Sequence, residues 1–264
     1  MYRQHFGLTS QPLGKDTLEL WDDGPIAALK ERFQWLLENP GVALLTGDPG
    51  VGKTSALRHI ADGLNPHRYQ VIYMAETDFG RIDIYRQLAH SLGLEAAYRR
   101  SQLWRDIKDK ITELADGKHI LPVWIIDEAQ NLPMEFFKDF PAFLNFAFDS
   151  RDLMTVWFVG HPALAQIFSR PHFTALASRT HLRMHFVPVM ERGRFASLIR
   201  HGLDVAGCKQ TLLSDSGMEL LRQGSQGIPR KAGLILKTAM RLAVPKGLSH
   251  LPDELINDAM EEIK

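Results

Sequence analysis

Apolar positions along the 264-residue chain follow two alternating rhythms up to about residue 187 and a single rhythm after it. Short continuous apolar runs bounded by Gly, Pro or acidic residues read as buried strands. They cover Val42–Thr46, Tyr69–Ala75, Leu121–Asp127, Met154–Val159 and His181–Val187. Between them, spacing of three and four predicts helices over Ile26–Leu37, Ser55–Ala61, Ile82–Leu92, Leu103–Leu114 and Glu135–Phe148. Ile26, Leu29, Phe33, Leu36 and Leu37 fall on one side of the first of these, which Asn39-Pro40-Gly41 stops. Six phenylalanines, Phe136, Phe137, Phe140, Phe143, Phe146 and Phe148, mark the last helix as core. After Pro188 only helical spacing remains, over Glu191–Val205, Ser214–Gln223, Pro229–Ala243 and Pro252–Ile263. Ser214 and Asp253 suit helix starts, and Gly207 and Gly224 suit stops.

Strands that alternate with helices predict an α/β fold, a five-stranded parallel sheet covered on both faces. The expected organisation is an N-terminal segment and helix over residues 1–40, an α/β core over 41–189, and an all-helical domain over 190–264 that packs on the core as a lid.

Bulk composition narrows this picture only slightly. The formal net charge is zero, so electrostatics do not demand a nucleic-acid partner, although a local basic face is compatible with neutrality. The single cysteine, Cys208, excludes an intrachain disulfide and suits a cytoplasmic location. The opening residues lack the apolar centre of a secretion signal. The apolar runs are strand-length, well short of the ~20 residues of a membrane helix.

The chemistry begins where the first strand ends. Gly47-Asp48-Pro49-Gly50-Val51-Gly52-Lys53-Thr54 fits Gly-x-x-x-x-Gly-Lys-Thr between a predicted strand and a predicted helix that opens with Ser55. Glycines let successive backbone N–H groups curl around an oxyanion, and the helix N-terminus adds partial positive charge. Lys53 is expected to reach the β- and γ-phosphates of ATP, and the Thr54 hydroxyl to ligate Mg²⁺. Val123-Trp124-Ile125-Ile126 then delivers Asp127 and Glu128 to the C-terminal edge of the sheet, where ligands bind in open α/β folds. Asp127 is expected to hold Mg²⁺, partly through water, and Glu128 to orient the attacking water. That pair points to ATP hydrolysis rather than transfer to a small acceptor. Three further residues fit the same site. Arg179 precedes the fifth strand and suits an arginine finger acting on a neighbouring subunit, with Arg183 as the nearby alternative. Arg230, in Gly227-Ile228-Pro229-Arg230 at a helix start, suits a sensor of the phosphates. His161, in Gly160-His161-Pro162 after the fourth strand, is the candidate sensor between the two motifs.

The order of these motifs resembles an AAA+ ATPase over most of the chain. Within AAA+, the sequence is similar to the group that holds transposon helper ATPases of the TnsC/TniB type and the ATPase domain of general secretion pathway protein A. The similarity is carried by His5-Phe6-Gly7-Leu8 with Pro12-Leu13, Leu44-Leu45-Thr46-Gly47, Ile126-Asp127-Glu128-Ala129-Gln130-Asn131-Leu132, Val159-Gly160-His161-Pro162-Ala163-Leu164 and Gly227-Ile228-Pro229-Arg230. Members of the group often carry Gln where this chain has His161 and Ser178. A secretion ATPase of this group is expected to continue into a membrane span and a cell-wall-binding domain. A chain that ends after the helical domain looks more like the transposition regulators. The resemblance thus implies an ATPase that forms a ring or helical filament of identical subunits on double-stranded DNA. It would present target DNA to a transposase, with a target-site adaptor as a further partner, and come apart on hydrolysis. The alternative is an ATPase that remodels a secretion or cell-wall complex without DNA.

A DNA partner needs cations for its phosphates. Tyr98–Lys108 is the richest stretch, with Arg99, Arg100, Arg105 and Lys108 as candidate DNA-binding residues and the last two on one helix face. Arg81 and Lys118 are secondary candidates. The basic stretch Arg170–Arg200 reads as a subunit interface.

Overall fold

A computed structural model describes residues 2–17 and 19–263. The chain divides into two compact units. One comprises Ile26–Gly47 and Leu57–Phe186, and the other Met1–Pro25, Asp48–Ala56 and Val187–Lys264.

The first unit is built on a five-stranded parallel sheet. Its strands are β1 (Val42–Gly47), β2 (Tyr69–Met74), β3 (Leu121–Ile126), β4 (Thr155–Gly160) and β5 (Thr180–Phe186). They lie in the order β2-β3-β4-β1-β5. The three inner strands are the most apolar in sequence because both their faces are covered; every residue of β1 and β4 is buried. The edge strand β5 alternates between half-buried and exposed positions, as a strand with one covered face must. Helix Pro25–Glu38 buries Leu29, Phe33, Leu36 and Leu37, and Phe33 stacks on Trp157 of β4 with ring centroids 5.1 Å apart. Beneath the sheet's other strands, Phe136, Phe137, Phe140 and Phe143 of helix Met134–Phe143 pack with Tyr85, Trp124 and Phe158 in one continuous aromatic core.

Two boundaries differ from the sequence reading here. The helix expected to run from Glu135 to Phe148 stops at Phe143. Lys108 Nζ donates to the carbonyls of Ala142 and Asn145 and so satisfies backbone acceptors at that helix end. Ala147, Phe148 and Asp149 then turn with φ of 47°, 59° and 63°. As a result Phe148, expected in the core, is fully exposed, whereas Phe146 is buried. The helix expected over Leu103–Leu114 starts earlier, at Arg100, and passes at Glu113–Gly117 into a wider π turn.

The second unit is helical. Helices Arg192–Val205, Asp215–Ser225, Pro229–Ala243 and Asp253–Glu262 enclose a core of Phe195, Ile199, Leu221, Ile235, Leu236, Met240 and Ile256. Phe6 and Leu8 from the chain start are buried in that same core. Ser214 caps its helix by accepting from the Gly217 N–H at 2.9 Å, as its position implied. Gly224, expected as a stop, lies inside the helix instead; the turn comes at Gln226 and Gly227, with φ of 55° and 66°. Among the described residues, no helix is long and apolar enough to cross a membrane.

Gly227 gives a direct test of this packing. Its backbone is left-handed, and a Cβ there would lie 2.5 Å from the Val189 carbonyl oxygen. Gly227→Ala is therefore expected to destabilise the protein by about 2 kcal/mol or more in urea denaturation, the left-handed cost alone being roughly 1–2 kcal/mol. An unfolding midpoint equal to that of the parent would contradict the assignment.

Candidate nucleotide site

The sheet edge comes first. Gly47 ends β1 and Asp127 follows β3, so both leave the C-terminal edge of the sheet, with β4 between them. Asp127 is buried. Its Oδ1 accepts from the Glu128 N–H at 2.9 Å, and its Oδ2 from the Tyr73 hydroxyl at 3.0 Å. Burial, together with the Asp127 and Glu128 carboxylates, pushes the Tyr73 hydroxyl well above the usual phenol range. Tyr73 therefore remains a donor to Asp127 at any physiological pH.

Glu128 has a left-handed backbone, φ 51°, which turns its side chain away from the line of β3. The Thr77 hydroxyl donates to its carbonyl at 3.0 Å, and the carboxylate is half-exposed. Gln130 Nε2 donates to Glu128 Oε2 at 2.6 Å, while Gln130 Oε1 accepts the His161 N–H at 3.0 Å. The His161 imidazole Nε2 lies 3.7 Å from the same Glu128 oxygen. Asp127, Glu128 and His161 are thus gathered at one edge of one unit. Tyr73, Thr77 and Gln130 join them, and no sequence motif had singled these out for a role. Tyr73 was legible only as a strand residue, and its value comes from β2 pairing with β3 in register Tyr73↔Ile125.

The glycine loop belongs to the other unit. Gly50 and Gly52 have φ of +86° and +104°, conformations that side-chain-bearing residues rarely adopt. Helix Lys53–Asp62 starts at the loop's end. The Lys53 ammonium folds back onto the Asp48 carbonyl at 3.0 Å, and Lys53 is buried. Ala56 N–H donates to the Gly52 carbonyl at 2.9 Å, which closes the first helical turn around Thr54 and Ser55. Arg230 is placed against this loop: its N–H donates to the Gly50 carbonyl at 3.3 Å, and its side chain is exposed. Pro229 occupies the first turn of the helix that carries it. Left-handed glycines, a helix N-terminus and a lysine on the loop suit a polyphosphate. Thr54 in this unit offers a hydroxyl and Asp127 in the other a buried carboxylate, each an oxygen donor of the kind Mg²⁺ takes.

Arg179 sits elsewhere. It follows helix Thr174–Ser178 and precedes β5, whose start pairs with Val42 at the opposite edge of the sheet from Gly47. Its guanidinium forms a two-pronged bond to Asp149, at 2.7 and 2.8 Å, and also donates to Asn145 Oδ1 at 2.6 Å. That pairing holds the Asp149 carboxyl below its ordinary range and Arg179 above its own. Arg183 lies within β5 opposite Leu44, exposed.

The basic helix Arg100–Thr112 divides its cations into two kinds. Arg100 pairs with Asp139 at 2.7 Å and covers the Trp104 ring, and Lys108 is half-buried over Phe146. Desolvation lowers the Lys108 pKa. Arg99 and Arg105 are exposed. Arg81 pairs with Asp139 and Lys118 with Glu113.

A parallel sheet of this order, a glycine loop after β1 and an Asp-Glu pair after β3 define a nucleotide-binding AAA+ architecture. The sequence profile of the AAA domain family matches residues 37–168, half of the chain, and the chain belongs to that family of ATPases. The chain is 29% identical over 253 residues to general secretion pathway protein A of Aeromonas hydrophila, across 94% of this chain and 46% of that protein. It therefore spans about half the length of this curated relative. Among solved structures, it is similar to Cdc6p from Pyrobaculum aerophilum, with TM-score 0.71 and 18% identity over 99% of this chain and 71% of that one. It is also similar to the Aeropyrum pernix ORC1 protein in complex with DNA, with TM-score 0.70 and 15% identity over 95% and 68%. At such identities these two are likenesses of fold.

The loop's dependence on left-handed glycine is testable. A Cβ on Gly50 would lie 2.7 Å from Arg230 Cβ. Gly50→Ala is expected to raise the Kd of a fluorescent ATP analogue by about tenfold or more, each tenfold being about 1.4 kcal/mol. An unchanged Kd would mean that the loop conformation does not matter for binding.

Proposed function

We propose that this protein is an ATP hydrolase that assembles on duplex DNA and regulates transposition. The observation that carries the hydrolytic part is the departure of Gly47 and of Asp127-Glu128 from the same sheet edge, one strand apart. In this reading Gly47–Ser55 hold the phosphates of ATP, with Lys53 on the β- and γ-groups. Thr54 and Asp127 hold Mg²⁺, Asp127 partly through water. Mg²⁺, when bound, neutralises charge that develops on the phosphate oxygens. Glu128 orients the attacking water, and His161 and Arg230 sense the phosphates from β4 and from the helical unit.

Arg179 serves a neighbouring subunit. Its place at the far edge of its own sheet supports this, since the 6 residues of β1 separate that edge from the one where Gly47 and Asp127 emerge, roughly 20 Å at about 3.3 Å per residue. The bond to Asp149 then keeps the guanidinium ordered in a subunit without a neighbour. Assembly into a ring or helical filament follows from a finger that acts between subunits.

Duplex DNA as the partner is supported by the exposed Arg99 and Arg105. Arg100 and Lys108, held by the chain's own groups, fix the helix that presents them. The fold likeness to an ORC1 protein in complex with DNA agrees. Presentation of target DNA to a transposase, with a target-site adaptor, and release on hydrolysis complete the reading. A second reading has an observation of its own, the 29% identity to general secretion pathway protein A. In it the same ATPase remodels a secretion or cell-wall complex and makes no use of DNA.

Electron microscopy of Glu128→Gln with ATP and Mg²⁺, with and without duplex DNA, separates the two. Transposition regulation predicts ATP-dependent rings or filaments threaded on DNA. It also predicts their loss when Arg99→Glu and Arg105→Glu are added, because removing a cation from the DNA phosphates weakens binding at every sequence. Assemblies that form equally without DNA would contradict it and favour the secretion reading.

A further inference from the structure

We propose that Gln130 is a positioning residue for Glu128, a tether that fixes the Glu128 carboxylate to the end of β4. The role rests on the hydrolytic reading of Glu128 given above. Gln130 bonds at both ends of its amide: Nε2 to Glu128 Oε2 at 2.6 Å, and Oε1 to the His161 N–H at 3.0 Å. Only one orientation of the amide serves both partners. Reversed, it would set NH₂ against an N–H and a carbonyl oxygen against a carboxylate. The tether is therefore directional.

Gly160 supplies an independent observation. A Cβ on Gly160 would overlap Gln130 Oε1. The φ of Gly160 lies outside the left-handed region, so its backbone does not call for glycine. The space is taken by the Gln130 amide. Glycine at the end of β4 and glutamine three residues after Asp127 thus form one device, although 30 positions separate them.

The consequence concerns Glu128. Its carboxylate is half-exposed on a left-handed turn, a setting in which a glutamate samples many rotamers. The bond from Gln130 removes that freedom. The His161 ring Nε2 lies 3.7 Å from that same carboxylate oxygen. The far end of the tether also has meaning, since Gly160 pairs with Thr46, the residue before Gly47. Glu128 is thereby referenced to the strand beside β1, in addition to its own strand β3.

The test compares the parent with Gln130→Ala, Gln130→Glu, Gly160→Ala and the Gln130→Ala/Gly160→Ala double variant. Three quantities are read: ATP turnover, the Kd of a fluorescent ATP analogue, and hydrogen exchange of the His161 amide in the nucleotide-free protein. Loss of one hydrogen bond to a charged group predicts a kcat fall of about tenfold to a hundredfold for Gln130→Ala, with Kd within about threefold of the parent. Gln130→Glu keeps the shape and the acceptor but loses the donor, so its kcat falls at least as far. Gly160→Ala displaces the amide and gives the same fall, and the double variant is no worse than either single one. The His161 amide exchanges faster in Gln130→Ala, Gly160→Ala and the double variant, which remove or displace its acceptor, and stays protected in Gln130→Glu.

Parental kcat in Gln130→Ala, additive losses in the double variant, or unchanged His161 exchange in Gln130→Ala would each overturn the tether. If Gly160→Ala does not fold, the two Gln130 variants decide alone. A parent protein with no ATP turnover would instead overturn the hydrolytic reading of Glu128, and exchange at His161 would still report whether the bond from Gln130 exists.

Discussion

Burial of the inner strands on both faces is the constraint on which the rest of this structure depends. β1 and β4 have no exposed residue, and β3 is buried from Pro122 onward. A strand covered on both faces cannot slip by a residue without disturbing packing on each of them. The register Thr46↔Gly160 and Ile126↔Phe158 is therefore fixed. Three strand ends are brought to one edge by it: Gly47, Asp127 and Gly160. Each then leaves the sheet with a different kind of backbone. After Gly47 the chain uses left-handed glycines, at Asp127-Glu128 it makes a left-handed turn on a glutamate, and at His161 it enters a helix through Pro162.

Around that edge the chemistry is supplied by hydrogen bonds of short reach. Tyr73 and the Glu128 N–H bond to Asp127, and Gln130 bonds to Glu128. Each of these donors is held by the sheet or by the turn after it, so little conformational entropy is lost when the site is used. Arg179 stands apart at the other edge of the sheet, bonded to Asp149. One unit therefore presents acids at one end of its sheet and an arginine at the other.

Much of this was legible in the sequence, for reasons that differ by element. The five strands could be read because inner parallel strands must be continuous apolar runs, and the glycine loop because its chemistry leaves little choice of residue. Asp127 and Glu128 were legible from their place after such a run. The local turn at Ala147–Asp149 was not, because it contains no glycine; its left-handed residues leave Phe148 exposed within a segment whose other phenylalanines are core. Gly224 misled in the other direction, since the helix continues through it to Ser225. Gln130 could be read only as part of the Ile126–Leu132 motif and Tyr73 only as a strand residue, neither with a role. Their roles arise from strand pairing and from the empty Cβ position of a glycine on another strand, relations that exist only once the chain is folded.

The central claim is that Glu128 acts on a nucleotide that the glycine loop already holds. Its most direct test is phosphate release under single-turnover conditions, measured alongside ATP affinity, for the parent and Glu128→Gln. The account predicts an affinity within about threefold of the parent and a rate lower by about a hundredfold or more, the usual scale for removing a general base. A Glu128→Gln protein that releases phosphate at close to the parental rate would contradict it.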